Sequence, residues 1–432
     1  MTNIPLIVSL WGQQVGLLLW DNDRDCAVFE FFPEFDALNW DIAPLIMPLN
    51  DIKRGERLYY YPQLRGNTFK GLPGLLADSL PDDYGNQLID EWFASKGLTG
   101  HQSTPVDRLC YIGNRGMGAL SFEPSDHADG LDASSIVEIG HLTALAKDVL
   151  SKRLSFSSSL DNASERALLD ILKVGTSAGG AKPKAIIAIN QDMSEVRSGQ
   201  VQAPVGFSYW LLKFDGLEGG RVTDNPKGIG RIEYAYYKMA LDCGIKMSES
   251  RLYEEGDFAH FLTKRFDRTD TGDRLHTQTL CAMAHYDRDD RHSYEQAFQV
   301  MRRLGLPYAD MEQMYRRMVF NIIARNHDDH TKNHAFILEQ GGEWRLAPAY
   351  DLCFTYSSSG RWTSQHQLSA NNKRDAFTRA DLLAVAKQMG IKKADLLVQQ
   401  VVDVVAKWPD YAVDSGVQPS HIEHIHRLLR LL

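Results

Sequence analysis

No apolar run in the chain approaches 18 residues, so no segment reads as a membrane-spanning helix, and the N-terminus lacks the basic-then-apolar pattern of an export leader. Cysteine is scarce and unpatterned. Cys26, Cys110, Cys243, Cys281 and Cys353 are odd in number, widely scattered and free of any C-x-x-C. That argues against a disulfide framework and a structural zinc site, and it suits a reducing compartment, expected to be the cytoplasm. Positive charge is also short. The 432 residues carry a formal net charge of -9, which argues against a protein that neutralises nucleic-acid phosphates on its own. No internal repeat is visible. What remains is ordinary globular composition, 44% apolar and 24% charged, in a chain long enough for two or three units with real cores.

The most informative stretch is Asn326-His327-Asp328-Asp329-His330-Thr331-Lys332-Asn333, with Ala349-Tyr350-Asp351 following it. Before it, Met311, Met314, Tyr315, Met318, Val319, Ile322 and Ile323 recur at helical spacing on one face, and Asp310 is placed to cap that helix. After it, His334 to Leu338 is short and apolar, as a strand would be. A loop dense in carboxylates, His, Lys and Asn is therefore expected between two anchored elements. Like charges this close raise one another's pKa values, and a divalent cation with phosphate would relieve that repulsion. Asp328 and Asn333 are five apart, the separation of catalytic Asp and metal-binding Asn in a protein-kinase loop. Asp351, 18 residues beyond Asn333, could supply a metal carboxylate. A solvated polar loop behind a core helix is the plain alternative.

The rest of the chain adds weaker signals in a telling order. Residues 1–123 read as a β-rich module: apolar runs Ile4 to Trp11, Val15 to Trp20 and Cys26 to Phe31 suggest a meander. Pro81-Asp82-Asp83 opens a helix to about Lys96, and Gly-rich Ile112 to Leu120 reads as a packed turn into a strand. Polar residues 124–135 mark a boundary. The second region, 136–245, holds Ser177, Ala178, Gly179, Gly180, Ala181, Lys182 and Lys184 before the strand-like Ala185 to Asn190. Small residues let backbone N–H groups approach phosphate, and the lysines add charge. Ala181-Lys182 departs from the Walker pattern, so a hairpin loop over phosphates or a flexible turn fits better. Lys213 closes the apolar strand from Phe207, where a kinase keeps its phosphate-holding Lys. In the helix that follows, Ile232, Ala235, Tyr236, Met239 and Ala240 share a face and Gly244 ends it. Glu233 could pair with Lys213 there, or be a solvated first-turn acid.

From 246 to 432 the expectation is a helical lobe, with a strand over His260 to Asp267 and helices near 276–286, 293–304 and 310–325. Thr378 and Ser420 each start a capping-box pattern. Ser357 to Asp375 reads as a mobile polar loop, and His421, His424 and His426 as surface residues.

Taken together, the motifs resemble those of the HipA toxins, serine/threonine kinases of bacterial HipBA toxin–antitoxin modules. Gly71-Leu72-Pro73-Gly74, Ala77-Asp78-Ser79-Leu80-Pro81-Asp82 and the Ile112-Gly113 to Leu120 turn are similar to that family's N-terminal motifs. Ser177 to Lys184, Asn326 to Asn333 and Leu346-Ala347-Pro348-Ala349-Tyr350-Asp351 are similar to its phosphate, catalytic and metal motifs. The resemblance implies an α+β, two-lobed protein-kinase-like fold with an extra N-terminal β subdomain and an all-helical C-terminal lobe. It implies Asp328 as catalytic Asp, Asn333 and Asp351 as Mg2+ ligands, Lys213 on the ATP phosphates, and Ser177 as an autophosphorylation site that switches the enzyme off. His330 and Lys332 lie in the same motif, His330 as a structural or metal-adjacent group. The implied partners are a HipB-like helix-turn-helix antitoxin dimer, operator DNA mainly through that antitoxin, and an aminoacyl-tRNA synthetase as substrate, with glutamyl-tRNA synthetase the best-known case. A small-molecule kinase and a non-catalytic corepressor are the competing readings.

Overall fold

Hydrophobic alternation at the start of the chain builds a sheet. The structure, a computed structural model, describes residues 5–81, 83–95, 103–125, 131, 133–150, 170–175, 182–217 and 227–432. Strands β1 (Leu6–Leu10), β2 (Gln13–Asp21), β3 (Cys26–Phe31), β4 (Leu58–Tyr60) and β5 (Leu120–Glu123) form one sheet in the order β4-β3-β2-β1-β5, each neighbour antiparallel. The expected meander is present. A second sheet has the order β7-β6-β8-β10-β9, from β6 (Lys184–Asn190), β7 (Val196–Ser198), β8 (Phe207–Lys213), β9 (Ser250–Glu255) and β10 (Phe258–Lys264). Helices Asp83–Ser95, Pro105–Ile112 and Ile139–Leu150 accompany these sheets. Leu88, Ile112, Leu142, Leu172, Ile187, Trp210 and Leu212 meet in one buried cluster.

The Gly-rich turn before β5 is packed, as its sequence suggests. Gly118 has φ +73°, which favours glycine, and a Cβ there would come within 2.9 Å of Thr277 Oγ1. Its N–H donates to the buried Asp267 at 2.7 Å, while Arg268 and Arg274 donate to its carbonyl at 3.1 and 2.9 Å. Asp267 stays well below the usual carboxylate range because Arg265 and Arg268 outweigh the cost of its burial.

The chain divides into two compact units. The first holds residues 1–43, 47–227 and 253–277, and the second holds 44–46, 228–252 and 278–432. The second unit is mainly helical, with Ile229–Asp242, Tyr294–Arg303, Tyr308–Ile323, Arg379–Met389, Ala394–Val405, Trp408–Asp414 and Pro419–Leu428. It is not all-helical, which corrects the sequence reading. Apolar Ala335–Leu338 pairs antiparallel with Arg345–Leu346, and His292–Ser293 pairs in parallel with Leu368–Ser369. The reading at 276–286 also changes, to a strand His276–Thr279 and a short helix Leu280–Ala284 capped by Thr279 Oγ1.

Two capping assignments fail for one reason: proline takes the start of each helix. Pro307 is the N-cap of Tyr308–Ile323, so Asp310 lies a turn inside and instead binds Arg345 Nε at 2.9 Å and Leu346 N at 3.1 Å. Pro419 opens the last helix behind Gln418, leaving Ser420 no N–H to cap. The helix pairs are otherwise as the periodicity requires. Met314, Tyr315, Met318, Val319, Ile322 and Ile323 are all buried, as are Ile232, Ala235, Tyr236, Met239 and Ala240.

Candidate active site

The buried helix Tyr308–Ile323 delivers the 326–333 loop from a fixed base. Arg325 turns the chain at φ +59°, and Asn326, 1% exposed, donates through Nδ2 to Asn321 Oδ1 at 3.0 Å while its own N–H donates to Asn321 O at 2.9 Å. Thr355 Oγ1 donates to Asn326 Oδ1 at 3.1 Å and accepts from Asp328 N at 3.0 Å. Asp328 is thereby held at the backbone, while its side chain keeps 43% exposure with His330 Nε2 3.9 Å away. Asn333 Nδ2 donates to the Asp328 carbonyl at 2.7 Å. The five-residue spacing thus closes as a clasp, and it leaves Asn333 Oδ1 without a protein donor among the described residues.

Asp351 is drawn to the same loop. Its carbonyl accepts from Asn326 Nδ2 at 3.4 Å, and neighbouring Tyr350 Oη donates to Lys332 O at 2.6 Å. Asp351 adopts φ +57°, a left-handed conformation that Asp tolerates better than most residues. An Asn oxygen and two Asp carboxylates are hard oxygen donors, the set that Mg2+ takes alongside water and phosphate. The donor chemistry fits that ion. No group of three or more His, Cys, Asp or Glu suited to a metal occurs among the described residues.

The neighbouring carboxylate, Asp329, points inward. It is wholly buried: Oδ2 accepts from Tyr294 Oη at 2.7 Å and from His366 Nδ1 at 3.0 Å, and Oδ1 accepts from Gln367 N at 2.7 Å. Tyr294 Oη in turn accepts from Asn321 Nδ2 at 2.9 Å. Burial would push the Asp329 carboxyl up, but His366 and these donors outweigh it and hold it below its usual value. Burial and the Asp329 charge push the Tyr294 phenol well above its usual value. His327, whose ring centroid lies 4.0 Å from that of His366, is lowered to about 3 by burial and then by His366.

This network corrects the reading of Ser357 to Asp375 as a mobile loop: His366 is 0% exposed and the segment is stitched to Asp329. Sequence reasoning singled out none of Asp329, Tyr294, Asn321 or His366. Adjacent carboxylates look alike in sequence, and the signal that separates them, a buried acceptor 37 residues from its His, is a property of the fold.

The remaining residues singled out belong to the first unit or to the Ile229–Asp242 helix. Lys213 ends β8 directly opposite Lys184 of β6 in an antiparallel pair, with its Nζ 5.8 Å from the centre of the Phe261 ring. Lys184 is 4% exposed. Directly opposed residues of a ladder share one face of the sheet, so the two lysines bring their positive charge to the same place. Lys182 is exposed, and Ser177, Ala178, Gly179, Gly180 and Ala181 lie outside the described residues. Glu233 is buried, at 5% exposure, which rules out the solvated first-turn acid.

Residues 6–123 match the HipA N-terminal domain and residues 176–408 match the HipA-like C-terminal domain. The chain belongs to the HipA family. HipA of Shewanella oneidensis MR-1, solved with HipB and its operator DNA, aligns over 98% of this chain and 95% of its own, with a TM-score of 0.62 at 16% identity. At that identity the likeness speaks for fold, and it bears out the mixed α/β HipA architecture expected from the motifs. A Sinorhizobium fredii (strain NBRC 101917 / NGR234) protein named "Putative kinase Y4dM" is 30% identical over 209 residues, 45% of this chain. The match spans 48%, about half, of that relative's length. Both HipA motifs, the 326–333 loop and the 346–351 segment, fall within the matched C-terminal domain. No described helix is long and apolar enough to cross a membrane.

Proposed function

We propose that this HipA-family chain is a serine/threonine protein kinase that uses ATP and Mg2+, and the toxin of a toxin–antitoxin pair. The observation that carries the reading is the clasp between Asn333 and the Asp328 backbone, with Asp351 tied to the same loop through Asn326. In this reading Asn333 Oδ1 and the Asp351 carboxylate hold the metal. Bound Mg2+ would offset the negative charge of the ATP phosphates. The Asp328 carboxylate accepts the proton of a substrate hydroxyl as its oxygen bonds to the γ-phosphorus, the bond to the β–γ bridging oxygen breaks, and ADP leaves. Lys213, Lys184 and Lys182 supply positive charge for the phosphates, and the sequence reading also gives the 177–181 stretch a phosphate-binding role. His330 and Lys332 shape the loop, and Glu233 keeps its proposed place among the nucleotide-binding residues.

Ser177 is the proposed self-modification site. A phosphoserine carries nearly two negative charges and would not return to a site built for ATP phosphates, which gives an off-switch a physical basis. The partners proposed are a HipB-like antitoxin, operator DNA reached mainly through it, and an aminoacyl-tRNA synthetase as target, in a cytoplasmic setting. The test is intact mass before and after incubation with Mg-ATP, with Asp328→Ala alongside. A gain of one phosphate on the wild type alone, mapped to Ser177, is expected. Label that persists in Ser177→Ala would move the site to another hydroxyl. Neither gain nor nucleotide binding would sink the kinase reading and leave a corepressor role.

A further inference from the structure

Two segments of the second unit flank the 326–333 loop. On one side, the Tyr286 carbonyl accepts from Thr331 Oγ1 at 3.0 Å, and the Tyr286 ring stacks on His292 at 4.6 Å between centroids. Arg291 immediately precedes His292 in that turn. On the other, His366 holds Asp329, its N–H donates to Arg374 O at 2.9 Å, and its carbonyl accepts from Arg374 Nε at 2.5 Å. The parallel register His292↔Leu368 joins the two segments. Arg291 and Arg374 therefore share one rim beside the catalytic loop. Burial first, and the Arg291 charge second, pull the Arg374 guanidinium below its usual value.

Most cations nearby are neutralised. Arg288 has Asp289 at 3.6 Å, Lys373 has Asp381 at 2.8 Å, and Arg325 and Arg430 share Asp375. Among the described residues no ion pair reaches Arg291, Arg361 or Arg374. The other acids of the Arg291 turn, Asp287 and Asp290, act on His292. Arg361 lies 4.7 Å over the ring of Trp362, which is 45% exposed. A chain of net charge -9 thus keeps, on the two segments that flank its catalytic loop, guanidiniums with no ion pair among the described residues, and the acid charge that reaches Arg374 is that of buried Asp329.

We infer that Arg291 and Arg374, with Trp362 on the same 357–375 segment as Arg374, receive an acidic segment of the protein substrate flanking the hydroxyl to be modified. The guanidinium fork fits a carboxylate with two parallel hydrogen bonds, and Arg and Trp are residues that anchor interfaces. A nucleic acid is the less suitable occupant, because the acidic chain as a whole repels a long polyanion. That the occupant is a substrate rests on the kinase reading, but its binding does not.

The test is fluorescence anisotropy, without nucleotide, of a rhodamine-labelled peptide with several Glu around one Ser, against the same peptide with Lys. The wild-type chain should bind the acidic peptide, more weakly as salt rises, and ignore the basic one. Arg291→Ala/Arg374→Ala should weaken binding by about tenfold or more, and Arg291→Lys/Arg374→Lys should recover part of it. Equal binding of the two peptides, or an unchanged affinity in the Ala pair with its circular dichroism intact, would overturn the inference. A single-stranded RNA that binds as tightly through the same arginines would overturn the peptide assignment. Failure of the kinase reading would appear separately, as no phosphate gained in the intact-mass measurement.

Discussion

Removing the Asp329 carboxylate leaves Tyr294 Oη, His366 Nδ1 and the Gln367 N–H in a buried space without their acceptor. Asp329→Ala is therefore expected to cost about 3–5 kcal/mol in urea unfolding. Tyr294→Phe should cost about 1–2 kcal/mol, and its effect should not add to that of Asn321→Ala, because the two side chains bond each other. A loss within experimental error for Asp329→Ala would mean that the network holds nothing. Acid should also weaken the fold through its buried imidazoles. His327 is lowered to about 3 and His276 to about 4, in both cases chiefly by burial. Between those values and about 6.5 the unfolded chain binds protons that the folded chain refuses, so stability is full above that window and falls as pH drops through it. Urea midpoints measured from pH 7 to pH 4 should decline, and a flat profile would contradict these assignments.

At the scale of elements, capping offers a paired test. Ser293 starts the Tyr294–Arg303 helix with a complete capping box: Gln296 N donates to Ser293 Oγ at 3.1 Å, and Ser293 N donates to Gln296 Oε1 at 2.8 Å. Ser293→Ala should cost about 1 kcal/mol, whereas Ser420→Ala, inside a helix opened by Pro419, should stay within about 0.5 kcal/mol. Reversed magnitudes would show that local pattern, not geometry, governs these starts. The same contrast explains what could be read beforehand. The buried face of the 308–323 helix, the 6–31 meander and the placing of the 326–333 loop between that helix and a short strand were legible because each rests on short-range spacing that sequence displays directly. Asp310 and the 357–375 segment were misread because their partners, Arg345 and Asp329, lie tens of residues away, and no local period announces them.

At the scale of the whole molecule, no disulfide joins the five cysteines, of which Cys26, Cys243, Cys281 and Cys353 are buried, so reductant should leave the melting temperature unchanged. A drop would reveal a disulfide. Trp408, fully buried and 5.4 Å from the Tyr236 ring, ties the Trp408–Asp414 helix to Ile229–Asp242, and Trp408→Ala should cost about 3–5 kcal/mol in urea unfolding. A loss below 1 kcal/mol would deny it that role. Late residues serve the catalytic loop too: Arg430 N donates to Ile323 O at 2.9 Å, and Arg325 Nε donates to Leu428 O at 2.8 Å. During synthesis, then, Asp328, Asn333 and Asp351 leave the ribosome well before the segments that brace their loop. A nascent chain arrested near residue 389 holds every residue of the clasp, with Asn321 and Thr355 behind it, but still lacks the two late bonds from residues 428 and 430 that fasten the helix end and the turn before the loop.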